Sequence, residues 1–263
     1  MHDSPKTKKS LGQHWLRDDA SLEAMLKAAD IQSEDMVLEI GPGPGALTKK
    51  LVSRARQVLA VEFDADLARD LPTRVPAANL QVVQSDILRF DLSRLPPGYK
   101  VAANIPYYLT SNLLRLLCEA PNHFSQAAFL VQKEVAERVC AKPGQMSLLS
   151  VSVQFYCGTR LGKVVPAALF TPSPKVDSQI VILTYRQSPL FAGVDTRQFF
   201  RIVKAGFSQR RKTLLNALGA GLHLSREQTI RLLEVAGVPP SLRAQSLGLA
   251  EWHDVYRAYM QIA

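Results

Sequence analysis

The sequence predicts an α/β protein, an open and mostly parallel sheet followed by a small helical domain. Three observations carry this. Between residues 36 and 186, short apolar runs alternate with amphipathic stretches. The runs are nearly continuous, as suits strands covered on both faces. After residue 195 the strand-like runs stop and only helical periodicity remains.

Taken in order, "ASLEAMLKAAD" (20–30) reads as a helix. "MVLEIGP" (36–42), "QVLAVEFD" (57–64), "NLQVVQSD" (79–86), "KVAANIP" (100–106) and "AAFLVQ" (127–132) read as buried strands. Amphipathic segments such as "ALTKKLVSRA" (46–55) separate them, which is the spacing of βα units. "DSQIVILTYR" (177–186) alternates and reads as an edge or antiparallel strand. "RQSPLFAGVD" (186–195) carries Pro189 and Gly193 and reads as a linker. Helical patterns follow over 196–222, 225–237 and 249–263. The expected domains are therefore 1–186 and 187–263.

The chain has 263 residues, 47% of them hydrophobic, enough for one large domain and a small one. No apolar run approaches the roughly 18 residues of a membrane span. The start, "MHDSPKTKKSLGQHWLRDD", lacks the apolar stretch of a secretory signal. A soluble, cytoplasmic protein without membrane partners is expected. Cys118, Cys140 and Cys157 are far apart and form no C-x-x-C pair, which argues against a disulfide framework and against zinc or iron–sulfur ligation. The five histidines are scattered, so no metal is expected. The formal net charge of +9 points to a polyanionic partner. Residues 187–263 hold ten Lys and Arg against five Asp and Glu, more than half of the excess.

In "LEIGPGPGAL" (38–47), Gly41, Gly43 and Gly45 leave a strand and open a helix, two residues after Glu39. Glycines there permit a tight turn and close approach of a ligand to the main chain. The second strand ends at Glu62, about twenty residues on, where an acid can accept both ribose hydroxyls of a nucleoside. This pairing is common to nicotinamide and S-adenosylmethionine sites and does not choose between them. The third strand ends in Asp86, which can accept from an adenine amino group or simply cap a helix. The fourth ends in Asn104-Ile105-Pro106-Tyr107-Tyr108. Pro106 keeps Ile105 out of the helical region. The Ile105 carbonyl and the Asn104 side-chain carbonyl can then accept the two hydrogens of an amine, and Tyr107 offers a face for a base. The other reading makes the tyrosines core aromatics and the proline a strand terminator.

"KKSLGQHWL", "EIGPGPGALT", "VEFD", "QSD", "NIPYYLTS", "FLVQKEVAERV", "FTPSPKVDS" and "FSQRRKTLLNAL" occur in that order. Together they resemble the ribosomal RNA adenine dimethyltransferase family, from about Lys8 to the end of the chain. "FSQRRKTLLNAL" is similar to the small-subunit branch rather than the macrolide-resistance branch. Trp15 stands where the family usually has Phe, and Ile105 where Leu is commoner.

The resemblance implies a Rossmann-like methyltransferase sheet, S-adenosylmethionine as donor, and two adjacent adenines near the 3′ end of small-subunit (16S) ribosomal RNA as target. It implies a monomer acting on a 30S assembly particle. His14 and Leu16 would border the donor, Gly41 its methionine moiety, Glu62 its ribose and Asp86 its adenine. Asn104 would face both donor and target, and Ile105, Pro106 and Tyr107 would complete the catalytic turn. Phe170 is a second candidate for stacking on the base. Arg210, Arg211 and Lys212, read as part of a long basic helix, and the tail lysines Lys6, Lys8 and Lys9 are candidates for RNA phosphates. A large-subunit methyltransferase, a non-catalytic nucleic-acid-binding factor on the same fold and a nicotinamide oxidoreductase are the competing readings.

Overall fold

The structure, a computed structural model, describes residues 12–262. The tail lysines Lys6, Lys8 and Lys9 lie outside the described residues. Packing divides the chain into two compact units. One runs to Glu137 and resumes over Cys157–Arg186; the other takes Arg138–Tyr156 and the chain from Gln187 onward. The single boundary expected at 186/187 therefore gives way to a discontinuous one. "KPGQ" (142–145) breaks the chain, and the apolar helix after it buries Val151 and Phe155 among the C-terminal helices.

The first unit is built on a seven-stranded sheet. Strand β1 is Trp15–Leu16 and helix α1 is Asp19–Ala28. Then come β2 (Met36–Ile40), α2 (Ala46–Val52), β3 (Gln57–Glu62), α3 (Ala65–Arg74) and β4 (Leu80–Gln84). They are followed by β5 (Lys100–Asn104), α4 (Thr110–Glu119), β6 (Gln126–Gln132) and α5 (Lys133–Val139). After α6 (Leu148–Tyr156), β7 is Cys157–Val165, β8 is Phe170–Thr171 and β9 is Ser178–Tyr185. The strand order is β4-β3-β2-β5-β6-β9-β7. The first five of these pair in parallel, while β9 runs antiparallel to both neighbours. Antiparallel direction matches the alternating pattern of 177–186, but β9 is not an edge. It lies between β6 and β7 and buries six successive residues, whereas β7 takes the edge and exposes Arg160, Leu161, Lys163 and Val164.

The order in which strands are added reverses at the β2/β5 junction, although the two strands run parallel. β3 and β4 lie to one side of β2, and β5 and β6 to the other. In an open parallel sheet, that junction leaves a crevice beyond the carboxyl ends of the strands. Under the sheet, α1 and α2 bury Leu22, Met25, Leu26 and Leu51 against Val37, Val58 and Ala102. Strand β1 pairs with β8, Trp15 opposite Thr171 and Leu16 opposite Phe170, which fastens the N-terminal segment to the sheet unit.

The second unit is helical: α6, α7 (Thr196–Phe207), α8 (Leu214–Leu222), α9 (Arg226–Val235) and α10 (Leu249–Ile262). The expected continuous helix over 196–222 is two helices. Between Phe207 and Leu214 no residue is apolar, so no stripe holds that stretch on the core. Ser208 bonds back to the Ala205 carbonyl (Oγ to O, 2.6 Å) where α7 ends. Arg210, Arg211 and Lys212 thus lie, exposed, in the turn between α7 and α8 rather than on a helix. Phe199 and Trp252 are fully buried at the centre of this core. Gly206 is required there, since a Cβ would come within 2.4 Å of Trp252 Cη2.

Candidate active site

Four loops, after β2, β3, β4 and β5, line one cavity of about 330 Å³ in the first unit, with the N-terminal segment forming a further wall. The sequence placed its polar candidates on those same four strand ends, and the sheet brings them together. His14, Leu16, Gly41, Glu62, Asp86, Asn104, Ile105, Pro106 and Tyr107 all line it.

The glycine turn has the form its spacing requires. Gly41 (φ +66°) donates its N–H to Val61 O at 2.9 Å, and a Cβ on it would meet no atom within 4 Å. A side chain there would occupy space beside the main chain that a ligand could use. Gly45 (φ +92°) opens α2, where a Cβ would lie 2.8 Å from Leu71 and Val75 side-chain atoms, so α2 packs closely against α3.

Glu62 does more than face the cavity. Its Oε2 accepts from Gly43 N–H (3.0 Å) and its Oε1 from Asp64 N–H (2.9 Å), tying the glycine turn to the end of β3. Burial pushes its carboxyl above the usual range, and these two N–H groups oppose the rise. Each oxygen retains a lone pair for a ligand hydroxyl. Asp86 caps the turn after β4, its Oδ1 accepting from Leu88 N–H (3.0 Å), and the residue also lines the cavity.

At the end of β5, Asn104 Nδ2 donates to the His14 carbonyl at 3.0 Å. That bond fixes the orientation of the amide and leaves Oδ1 as its free acceptor. Ile105 N–H donates to Leu130 O (3.2 Å), and Pro106 (φ −54°, ψ 129°) turns the chain into the short 3₁₀ turn Tyr107–Leu109. The Tyr107 hydroxyl and Ser178 Oγ are 2.9 Å apart, and its ring stacks near His14 with centroids 5.9 Å apart. His14 Nδ1 in turn lies 2.7 Å from Pro172 O. The residues of this turn are therefore braced by the N-terminal segment and by β9.

Phe170 is a correction. It is 4% exposed and packs in the core with Leu16 and Ile180, so it presents no free face to a base. The exposed aromatics on the cavity wall are instead Tyr108 (67% exposed) and Phe63 (56%). Sequence reading passed over both as neighbours of stronger candidates; a doubled aromatic after proline was the available signal for Tyr108.

The cavity's charge is opposite to that of the chain. Glu39, Glu62 and Asp86 line it, and among the described residues none that lines it is Lys or Arg, although the chain carries a net +9. Such a lining favours a cationic ligand.

A family model described as ribosomal RNA adenine dimethylase matches residues 4–261. The chain is 42% identical to the ribosomal RNA small subunit methyltransferase A of Dehalococcoides mccartyi (strain ATCC BAA-2266 / KCTC 15142 / 195), over 97% of this chain and 89% of the relative. It is 37% identical to the protein of the same name from Clostridium botulinum (strain Loch Maree / Type A3), over 94% and 92%. Among solved structures, a dimethyladenosine transferase from Plasmodium falciparum superposes with a TM-score of 0.82 at 26% identity, covering 95% of this chain and 98% of that one. The 23S rRNA methyltransferase ErmE superposes with a TM-score of 0.75 at 28% identity, covering 93% and 98%.

Proposed function

Because the chain belongs to the ribosomal RNA adenine dimethylase family, we propose that it dimethylates the exocyclic amines of two adjacent adenines near the 3′ end of small-subunit (16S) ribosomal RNA, with S-adenosylmethionine as methyl donor. One observation carries the choice of RNA. The curated small-subunit enzyme from Dehalococcoides mccartyi is 42% identical across 97% of the chain, whereas the 23S enzyme ErmE is 28% identical. On this reading the enzyme works as a monomer in the cytoplasm on RNA within a 30S assembly particle. Among the described residues, no helix is long and apolar enough to cross a membrane.

The residues present fit the donor. The Gly41 cradle, the acceptors at Glu62 and Asp86, and an acid-lined cavity with no Lys or Arg among the described residues suit a nucleoside carrying positive charge. When bound, S-adenosylmethionine supplies an electrophilic methyl on a positively charged sulfur. Glu62 receives the ribose hydroxyls on its remaining lone pairs, Asp86 the adenine amino group, and Gly41 the methionine moiety, while His14 and Leu16 border the donor. Asn104 Oδ1 and the Ile105 carbonyl accept the target amine's two N–H groups. Holding both hydrogens turns the nitrogen lone pair out of conjugation and toward the methyl. Pro106 fixes that turn. Tyr107, its hydroxyl tethered to Ser178, provides a stacking face contributing roughly 1–3 kcal/mol, since the base must leave its RNA stack. Positioning of this kind lowers a barrier by several kcal/mol. In each transfer an N–C bond would form as the S–C bond breaks, and the methylated nitrogen, cationic and acidic at that point, would lose one proton to solvent, so no strong base is required. Arg210, Arg211 and Lys212 contact RNA phosphates.

Unmodified small subunits incubated with labelled donor, followed by nucleotide mapping, test the reading. Label on adjacent adenines near the 3′ end of the small-subunit RNA supports it. Label on large-subunit RNA overturns the choice of substrate, and donor binding without transfer to any RNA leaves a non-catalytic binding factor.

A further inference from the structure

Glu39 takes no part in the chemistry above, yet its carboxyl is the most secluded acid of the cavity. It lies on β2, is 1% exposed, and lines the cavity. Among the described residues, neither of its oxygens has a hydrogen-bond partner, and the hydroxyl of Thr48, from α2, has none either. Opposite it in register are Ala60 of β3 and Ala102 of β5, which offer nothing to a charge.

We propose that Glu39 is protonated in the donor-free protein and surrenders that proton when cationic S-adenosylmethionine enters, so that donor capture and proton release at this residue are one event. This rests on the donor reading above and adds a coupling that the reading does not require. A buried carboxylate with no hydrogen bond and no cation is costly, so the group stays neutral until a cation arrives. Burial pushes the Glu39 carboxyl to about 8; the Thr48 hydroxyl opposes the rise and the charge of Glu62 adds to it. Glu62 shares the burial but accepts two backbone N–H bonds that favour its charged form. Glu39 accepts no backbone N–H among the described residues, and the Thr48 hydroxyl offsets only part of the rise. Among the described residues, the other titratable groups on the cavity wall are His14 from the N-terminal segment, Asp86 after β4, and Tyr107 and Tyr108 after β5; none of these is a permanent cation. The balance is simple. The neutral acid and the donor cation give a carboxylate beside the cation, and one proton passes to the buffer.

Calorimetric titration of the full chain with S-adenosylmethionine at pH 7, in buffers of different ionisation enthalpy, counts the protons released. The expectation is about 0.9 proton per donor bound, the protonated fraction of a group titrating near 8. The neutral isostere Glu39→Gln should bring the count close to zero. A parallel titration with the demethylated thioether, which keeps the amino group and lacks the sulfonium, assigns the trigger. Release with both ligands points to the ammonium, and release with the donor alone points to the sulfonium. Saturable binding with no proton release, or equal release from wild type and Glu39→Gln, overturns the coupling and leaves the donor reading intact. No binding at all overturns both. Should Glu39→Gln fail to fold, the wild type alone decides: donor affinity should rise up to tenfold per pH unit between pH 6 and pH 7, and a flat profile refutes the proposal.

Discussion

The isolation of Glu39 should be readable in the stability of the donor-free protein. The perturbation is Glu39→Gln, which keeps the side chain's shape and removes its ionisation. The folded carboxyl titrates near 8 against an ordinary 4.5, so between those values the folded state holds a proton that the unfolded chain has lost. Stability therefore falls as pH rises through this window, and levels off above it. For one such group the loss between pH 5.5 and 8.5 is about 3 kcal/mol. Glu62, also raised by burial, contributes with the same sign in both proteins. The informative quantity is thus the difference between the two curves. Urea unfolding at four pH values across that range should show wild type falling below Glu39→Gln by about 3 kcal/mol, with Gln the more stable at pH 8.5. Curves that stay parallel to within about 1 kcal/mol would refute the reasoning. They would mean that Glu39 reaches solvent or a partner and pays no desolvation.

Asn104→Ala should lower single-turnover methylation by a factor on the order of a hundred to a thousand, because about 2.7–4 kcal/mol of transition-state contact is lost; a rate within about threefold of wild type, far short of that estimate, would make Asn104 a shaper of the turn. Glu62→Ala should weaken donor binding and also cost stability, since Gly43 and Asp64 lose their acceptor at about 1.5–3 kcal/mol per bond; unchanged donor affinity by calorimetry would remove Glu62 from the ribose site. Replacing Arg210, Arg211 and Lys212 by Ala should weaken RNA association and reduce the slope of log K against log salt by about 0.7–0.9 per lost phosphate contact; a wild-type slope would return this turn to plain solvent exposure. Gly206→Ala should destabilise by about 1–3 kcal/mol despite its better helix propensity, because the new methyl meets Trp252; a stabilised variant in thermal unfolding would show that Trp252 yields.

What the sequence disclosed, and what it hid, follows from the range of the signals. β2, β3, β5 and β6 were legible because each is apolar over nearly its whole length, a property that needs no knowledge of the neighbours. Their ends were legible as a site because glycine, acid and proline each have a local meaning. β7 was missed because an edge strand with Arg160, Leu161, Lys163 and Val164 exposed carries no clean alternation, and a register shift between Leu161 and Val164 interrupts it further. α6, "LLSVSVQFY", alternates like a strand, and only its burial among the C-terminal helices decides for a helix. Phe170 looked available because a motif names a residue and not its exposure; pairing of β1 with β8 is what buries it. Glu39 could be located but not understood. Its isolation depends on two alanines facing it from strands that lie twenty and sixty residues away.

The same separation of local and long-range information bears on how one chain serves two ligands of opposite charge. A methyl donor with a sulfonium needs an acid environment; an RNA needs a basic one. A protein with net charge +9 meets both demands only by sorting its charges. Among the described residues, the cavity has no Lys or Arg in its lining. The helical unit concentrates them, and the stretch 138–156 that it recruits adds Arg138 and Lys142 without any acid. Charges on an exposed surface are screened over about 8 Å at physiological salt, so cations exposed in the turn at 210–212 reach only charges close to them. Inside the cavity, screening is weaker and an acid counts for more. A cation introduced among Glu39, Glu62 and Asp86 would therefore oppose the donor far more strongly than surface cations favour it by attracting RNA. That asymmetry is a reason for the acids to be buried and the bases exposed, rather than the reverse.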